Sequence, residues 1–237
     1  MIRTSFFLIA FISILVSNVQ AQTNSYLINY KTVEIKGKTA DAKAQRRTLA
    51  QTELTIANES VRTKHALSIG DLVTRSFVFD KEKNKGFLMV SGSIGNYGVK
   101  IDSAVFFSSI QNPPSEKIEI FTEDTLIVVL NPEDSLKREE FICHRAVAKN
   151  QDGFTSTFWY TPLFATPWTD NKFLQDNLPG LPLKMTIETK EMEVTMEVNE
   201  LAVDIPRKEE LFDVENLPLG FMEVTLSNFK KLTNEED

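Results

Sequence analysis

Residues 183–198 read LKMTIETKEMEVTMEV, and they decide the fold. Leu183, Met185 and Ile187 alternate with Lys184, Thr186 and Glu188. After a turn at 189–191, Met192, Val194, Met196 and Val198 alternate with Glu193, Thr195 and Glu197. A period of two puts apolar side chains on one face of a strand and polar ones on the other. Two such strands joined by a short turn form one side of an antiparallel sheet over a core. The phase slips at Asn199 and Glu200, and Leu201, Val203 and Ile205 resume on the opposite parity. Such a slip either flips the strand or marks a β-bulge. The bulge is preferred, because a bend lets one long strand wrap a core.

Working outward, the same strand-and-turn pattern recurs. Residues 141–148 and 154–160 flank Asn150-Gln151-Asp152-Gly153, whose Asp-Gly is a hairpin turn. Residues 118–121 and 126–130 flank Thr122 to Thr125 as a second hairpin, and 75–80 and 87–90 flank a polar tip as a third. Ser25 to Ile35 is a first strand, and Val99 to Phe107 another. Gly92, Gly95 and Gly98 lack the Gly-Lys-Ser/Thr ending of a phosphate loop, so 91–98 reads as a glycine-rich turn. Helix formers cluster at 39–52, and Pro206 to Phe212 reads as a short helix. Thr161 to Pro182 carries prolines 162, 167, 179 and 182 and reads as a long loop. The sum is a mostly β protein of about ten strands with minor α. Its strongly curved antiparallel sheet or half-barrel is accompanied by one or two short helices.

Arg3, the apolar run Phe6 to Val16, and Val19 and Ala21 have the form of a signal peptide cut after residue 21. The run is shorter than the roughly 20 residues that span a bilayer. No cysteine follows it, so the lipoprotein route is closed. Residues 22–237 are then a single exported domain without an integral membrane span, periplasmic or extracellular and not lipid-anchored. With a net charge of −7, the chain is a poor partner for nucleic acid.

Cys143 is the only cysteine, and His65 and His144 are the only histidines. A lone cysteine forms no internal disulfide, and three such residues fall short of the four ligands of a usual zinc site. Cys143 reads as a small buried apolar residue. His144 follows it on a strand and points to the opposite face, so the two make no nucleophile–base pair. The acids Asp170, Asp176, Glu188, Glu193, Glu197 and Glu200 read as solvated surface. The sequence implies no cofactor, metal or catalytic residue, and hence no enzyme. A hydrolase would need a serine or acid converging on His65 or His144.

Phe158-Trp159-Tyr160-Thr161-Pro162, then Asn177-Leu178-Pro179-Gly180-Leu181-Pro182, then a long hairpin and Glu210-Leu211-Phe212 follow one another in a familiar order. The order resembles the GLPGLI family of secreted envelope proteins of unknown function from Gram-negative bacteria. The resemblance covers about the C-terminal third of the chain. Asn177 stands at the family's first glycine and Pro182 at its last isoleucine, while Leu178-Pro179-Gly180-Leu181 is intact. The family implies an envelope location and no known enzyme activity. Its pattern also looks like that of periplasmic lipoprotein carriers, in which a half-barrel shelters acyl chains; that step is analogy between folds.

One reading sets Trp159, Tyr160, Trp168, Leu178, Pro179, Gly180 and Leu181 at the mouth of an apolar cavity that binds a hydrophobic ligand, a lipid or a lipidated protein. The other makes them a folding signature, with Pro179-Gly180 as a turn and Trp159 and Leu178 as a plug, in a structural or protein-interaction module without a cavity.

Overall fold

The computed structural model describes residues 25–39, 52–59, 62–69, 73–93, 95–108, 115–130, 139–168, 172–203 and 205–233. The signal peptide expected at 1–21, nearly all of the helix expected at 39–52, and Asp170 lie outside them.

Among the described residues twelve strands form one sheet in the order β12-β6-β5-β4-β3-β2-β1-β11-β10-β9-β8-β7. β1 (Tyr26–Gly37), β2 (Thr52–Asn58), β3 (Arg62–Ile69), β4 (Val73–Asp80), β5 (Lys85–Gly92) and β6 (Gly95–Ile101) make one antiparallel meander. β7 (Ser115–Leu130), β8 (Glu139–Asn150), β9 (Thr155–Thr161), β10 (Leu181–Glu188) and β11 (Met192–Ala202) make another. β1 and β11 pair antiparallel and fuse the two. The two-residue β12 (Met222–Glu223) lies parallel to β6. Among the described residues four short helices accompany the sheet, more than the one or two expected: α1 (Ser103–Ser108), α2 (Lys172–Asn177), α3 (Lys208–Leu211) and α4 (Leu226–Thr233).

The connection from β6 to β7 shows that this sheet must curl. Ten strand spacings separate the two in the sheet order. Laid flat at about 4.8 Å each, they would span about 48 Å. The chain from Ile101 to Ser115, with residues 103–108 in α1, reaches at most about 40 Å. Accordingly, Cα atoms of β7 come within 8 Å of β11, four strands away across the interior.

The hairpins at 141–160 and 183–198 form as expected, and Gly153 adopts a left-handed φ of 84° in the first turn. The bulge expected near Asn199 is present: Asn29 pairs with Glu200 and Tyr30 with Val198, leaving Asn199 unmatched. Other expectations change. Residues 52–58 and 62–69 are a strand pair with no counterpart in the sequence reading. Gly98 lies inside β6 instead of in a glycine-rich turn, and a Cβ there would sit 2.4 Å from Leu217. Residues 103–108 form α1 instead of continuing a strand, because the Asp102 carboxylate accepts the Val105 N–H at 2.9 Å as an N-cap.

Residues 118–130 are one long strand, not a hairpin. Phe121 pairs with Arg145 and Thr125 with the adjacent His144, so 122–124 bulge out. Phe141 and Cys143 on one parity, and Ala146 and Ala148 on the other, are all buried. The strand β8 therefore switches its buried parity at His144-Arg145, opposite the bulge. His144 Nδ1 contacts the Thr122 carbonyl at 2.9 Å, and the Arg145 guanidinium bonds Asp124 Oδ2 through Nε at 2.6 Å and covers the Phe121 ring at 4.0 Å. A tetrapeptide that looks like a turn is thus held as a bulge by tertiary contacts. Because Arg145 and Asp124 are partly exposed, Arg145→Ala and Asp124→Ala should each cost about 1 kcal/mol. The double variant should lose less than the sum, as read from urea unfolding curves.

Candidate functional site

The inner face of the C-terminal half carries the largest core cluster. Tyr26, Ile28 and Tyr30 from β1, Phe158 and Tyr160 from β9, Leu181, Leu183 and Met185 from β10, and Met196 and Val198 from β11 are buried in it. Residues 162–168 and 172–180 fold over this face as a strap. Its Phe164 meets Tyr26 edge-on at 5.8 Å, and Leu178 is 5 % exposed. The Tyr26 hydroxyl donates to the Ala165 carbonyl at 2.8 Å, and the Tyr30 hydroxyl to the Pro182 carbonyl at 2.6 Å. Burial holds both phenols well above their ordinary pKa, so they remain donors. Thr166 Oγ1 donates to the Leu178 carbonyl, and the Leu181 N–H to the Phe164 carbonyl at 3.1 Å.

The residues expected at a mouth are mostly interior. Tyr160, Leu178 and Leu181 sit within the cluster and Trp159 is half-buried at its margin. Gly180 is buried, and a Cβ on it would fall 2.2 Å from the Thr161 carbonyl oxygen, so β9 and the strap approach too closely for any other residue. Pro179 alone is exposed. Trp168 belongs to a different cluster, stacked on Phe79 at 5.1 Å with Phe77 and Phe229 nearby. This one segment therefore ties both halves of the sheet together.

The Trp168 anchor is polar as well as apolar. Its N–H donates to Asn58 Oδ1 at 2.9 Å, which also accepts the Thr63 hydroxyl at 3.1 Å. His65 Nε2 donates to the Trp168 carbonyl at 3.1 Å, its ring 4.5 Å from Phe77. Burial drives the His65 pKa down to about 3, against a smaller upward pull from that hydrogen bond. Cys143 is buried, and burial pushes its thiol up to about 12, so it is the inert apolar residue the sequence suggests. Among the described residues, no three His, Cys, Asp or Glu side chains are grouped to hold a metal ion, and no helix is long and apolar enough to cross a membrane.

The inner face is less covered at the end away from the strap. Strand register defines a row across it: Ile118 of β7, Ala148 of β8, Ser156 of β9, Ile187 of β10 and Val194 of β11. Ile120 heads the next row, Ala146, Phe158, Met185 and Met196. Ile120 and Ile187 are each 37 % exposed although they share the face of the closed core, and Ile118, Ser156 and Val194 are half-buried. Between them the floor is small: Ala146, Ala148 and Ser156. Large apolar walls over small floor residues are the makings of an apolar mouth. The sequence reading missed it, since only register aligns residues so far apart in the chain.

No protein-family model matches this chain, and no curated protein matches it. Among solved structures it is similar to a LolA superfamily protein from Nitrosomonas europaea, with 11 % identity over 82 % of this chain and 92 % of that chain. The TM-score is 0.25, too slight to bear on function.

Two outcomes test the strap. Gly180→Ala should destabilise the protein by about 1–3 kcal/mol in urea unfolding, because its Cβ meets backbone that cannot yield. The folded state keeps His65 neutral, whereas an unfolded histidine titrates near ~6.5. As pH falls from about 6.5 towards 3, the unfolded chain gains a proton that the folded chain lacks, and stability drops. Urea unfolding at pH 7.5 and pH 5 should therefore show a smaller loss in His65→Gln than in the unaltered protein.

Proposed function

We propose that this is a non-catalytic protein of the bacterial envelope that binds an apolar ligand, an acyl chain or the acyl group of a lipidated protein, on the inner face of its curved sheet. One observation carries the reading. Ile118, Ile120, Ile187 and Val194 remain accessible on the same face whose other end is sealed by the strap. Apolar side chains on an inner face are normally closed by packing, and this group is closed only on one side. The ligand enters at the row Ile118–Val194 and lies over Ala146, Ala148 and Ser156. Membership of the GLPGLI family and export after residue 21 belong to the same proposal and agree with an acyl ligand.

The strap residues act in this reading as a fixed plug. Tyr160, Leu178 and Leu181 form the inner wall against which the ligand ends, and Trp168 keeps the strap in place. No proton transfer or covalent step is involved.

A second reading, a protein-interaction module with a filled core, has its own observation: Ile127 and Ile142, paired on the outer face, are each 61 % exposed.

Titration of residues 22–237 with a fluorescent fatty-acid probe distinguishes the two. Saturable binding should weaken at least about tenfold in Ile120→Asp, which places a charge at the mouth, and in Ser156→Leu, which fills it. Both variants should keep the far-UV circular dichroism of the unaltered protein. Absence of saturable binding, or equal binding in both variants, would contradict the ligand reading.

A further inference from the structure

The two edges of the sheet are finished differently. At one, β12, two residues long, shields part of β6. At the other, β7 is sixteen residues long, and among the described residues its sole hydrogen-bonded neighbour is β8. An open edge offers unpaired N–H and C=O groups to any passing strand, and proteins usually blunt it with charge or bulges. The first part of β7 is blunted in both ways, by exposed Lys117, Glu119 and Glu123 and by the bulge at 122–124. The second part, Thr125-Leu126-Ile127-Val128-Val129-Leu130, carries neither charge nor bulge. It consists almost wholly of β-branched and leucine residues, and its outward Ile127 lies beside the equally exposed Ile142.

We propose that residues 126–130 of β7 pair antiparallel with the same residues of a second copy, joining two sheets edge to edge about a twofold axis at Val128. This inference stands apart from ligand binding, which uses the first part of β7 and the inner face beside it.

Self-complementarity selects the occupant, and charge selects the register. The chain is one-quarter charged residues and has a net charge of −7, so two copies repel unless they meet at a charge-free surface. Centring on Val128 sets Leu126 against Leu130, Ile127 against Val129, and Val128 against itself. An even pairing sum keeps inner side chains with inner and outer with outer. Moving the centre to Leu126 sets Asp124 against Val128 and runs into the bulge. The Val128 register alone keeps Glu123 and Asp124 out of the ladder while using all of Leu126 to Leu130. It also makes the outer pair Ile127 and Ile142 continuous with Val129 of the partner, covering two exposed isoleucines on each copy. Strand pairing with so small a side-chain patch sits at the low end of interface size, so the dimer is weak.

Analytical ultracentrifugation of residues 22–237 over a micromolar to millimolar range tests it. The expected result is a reversible monomer–dimer equilibrium that shifts at least about tenfold towards monomer in Ile127→Lys. Val129→Lys, on the same outer face, serves as a second variant should the first lose its fold. Ile120→Asp, on the inner face away from the ladder, should leave the equilibrium unchanged. A monomer at every concentration, or self-association that both lysine variants retain while folded, would overturn the proposal and leave this edge to a different partner.

Discussion

The pairing of β1 with β11 holds the molecule together. Each meander is a run of local hairpins, and each exposes an edge and an apolar face that it cannot cover alone. β1 sits between β2 and β11, so a segment near the start of the chain and one near its end become the middle of a single sheet. Its inner side chains, Tyr26, Ile28 and Tyr30, are almost completely buried, and two of them use their hydroxyls to hold the strap and β10. The bulge at Asn199 and the register shift in β1 between Thr32 and Glu34 fall on this same seam. Two of the sheet's bends therefore fall where the halves join, as expected when bulges bend a strand. Such a long-range pairing forms late and slowly relative to the hairpins it unites.

The two halves solve the burial problem differently. The N-terminal strands are covered on both faces: Phe77 and Phe79 pack with Trp168 and Phe229, while Val78 and Phe87 pack with Phe212 and Val214. The consecutive buried residues Phe77 to Asp80 reflect that double cover. The C-terminal strands close their inner face with the chain's own strap, in which the tight fit of Gly180 on Thr161 sets the position. The strap closes one end of the concavity and leaves the other to small residues, and that asymmetry is what makes one end a wall and the other a mouth.

Much of this was legible wherever a local pattern decides the structure. Strict alternation at 183–198 identified β10 and β11, the Asp-Gly turn identified β8 and β9, and the parity slip identified the bulge at Asn199. The failures share a cause. Residues 52–58 and 62–69 mix polar and apolar residues without a strong turn between them, and they become strands through pairing with β1 and β4. Thr122 to Thr125 has turn chemistry, yet His144 and Arg145, distant in sequence, hold it as a bulge. The motif Leu178-Pro179-Gly180-Leu181 drew attention to the right segment, but nothing in it says whether a buried leucine lines a cavity or fills one. The mouth residues belong to five separate strands and carry no motif at all.

The central claim is that the inner face holds an apolar ligand. Native mass spectrometry of residues 22–237, purified from the native envelope without detergent and measured before and after organic extraction, tests it most directly. The account predicts a stoichiometric apolar adduct that extraction removes and that lipids restore. A bare polypeptide mass, unchanged when lipids are offered, would contradict it.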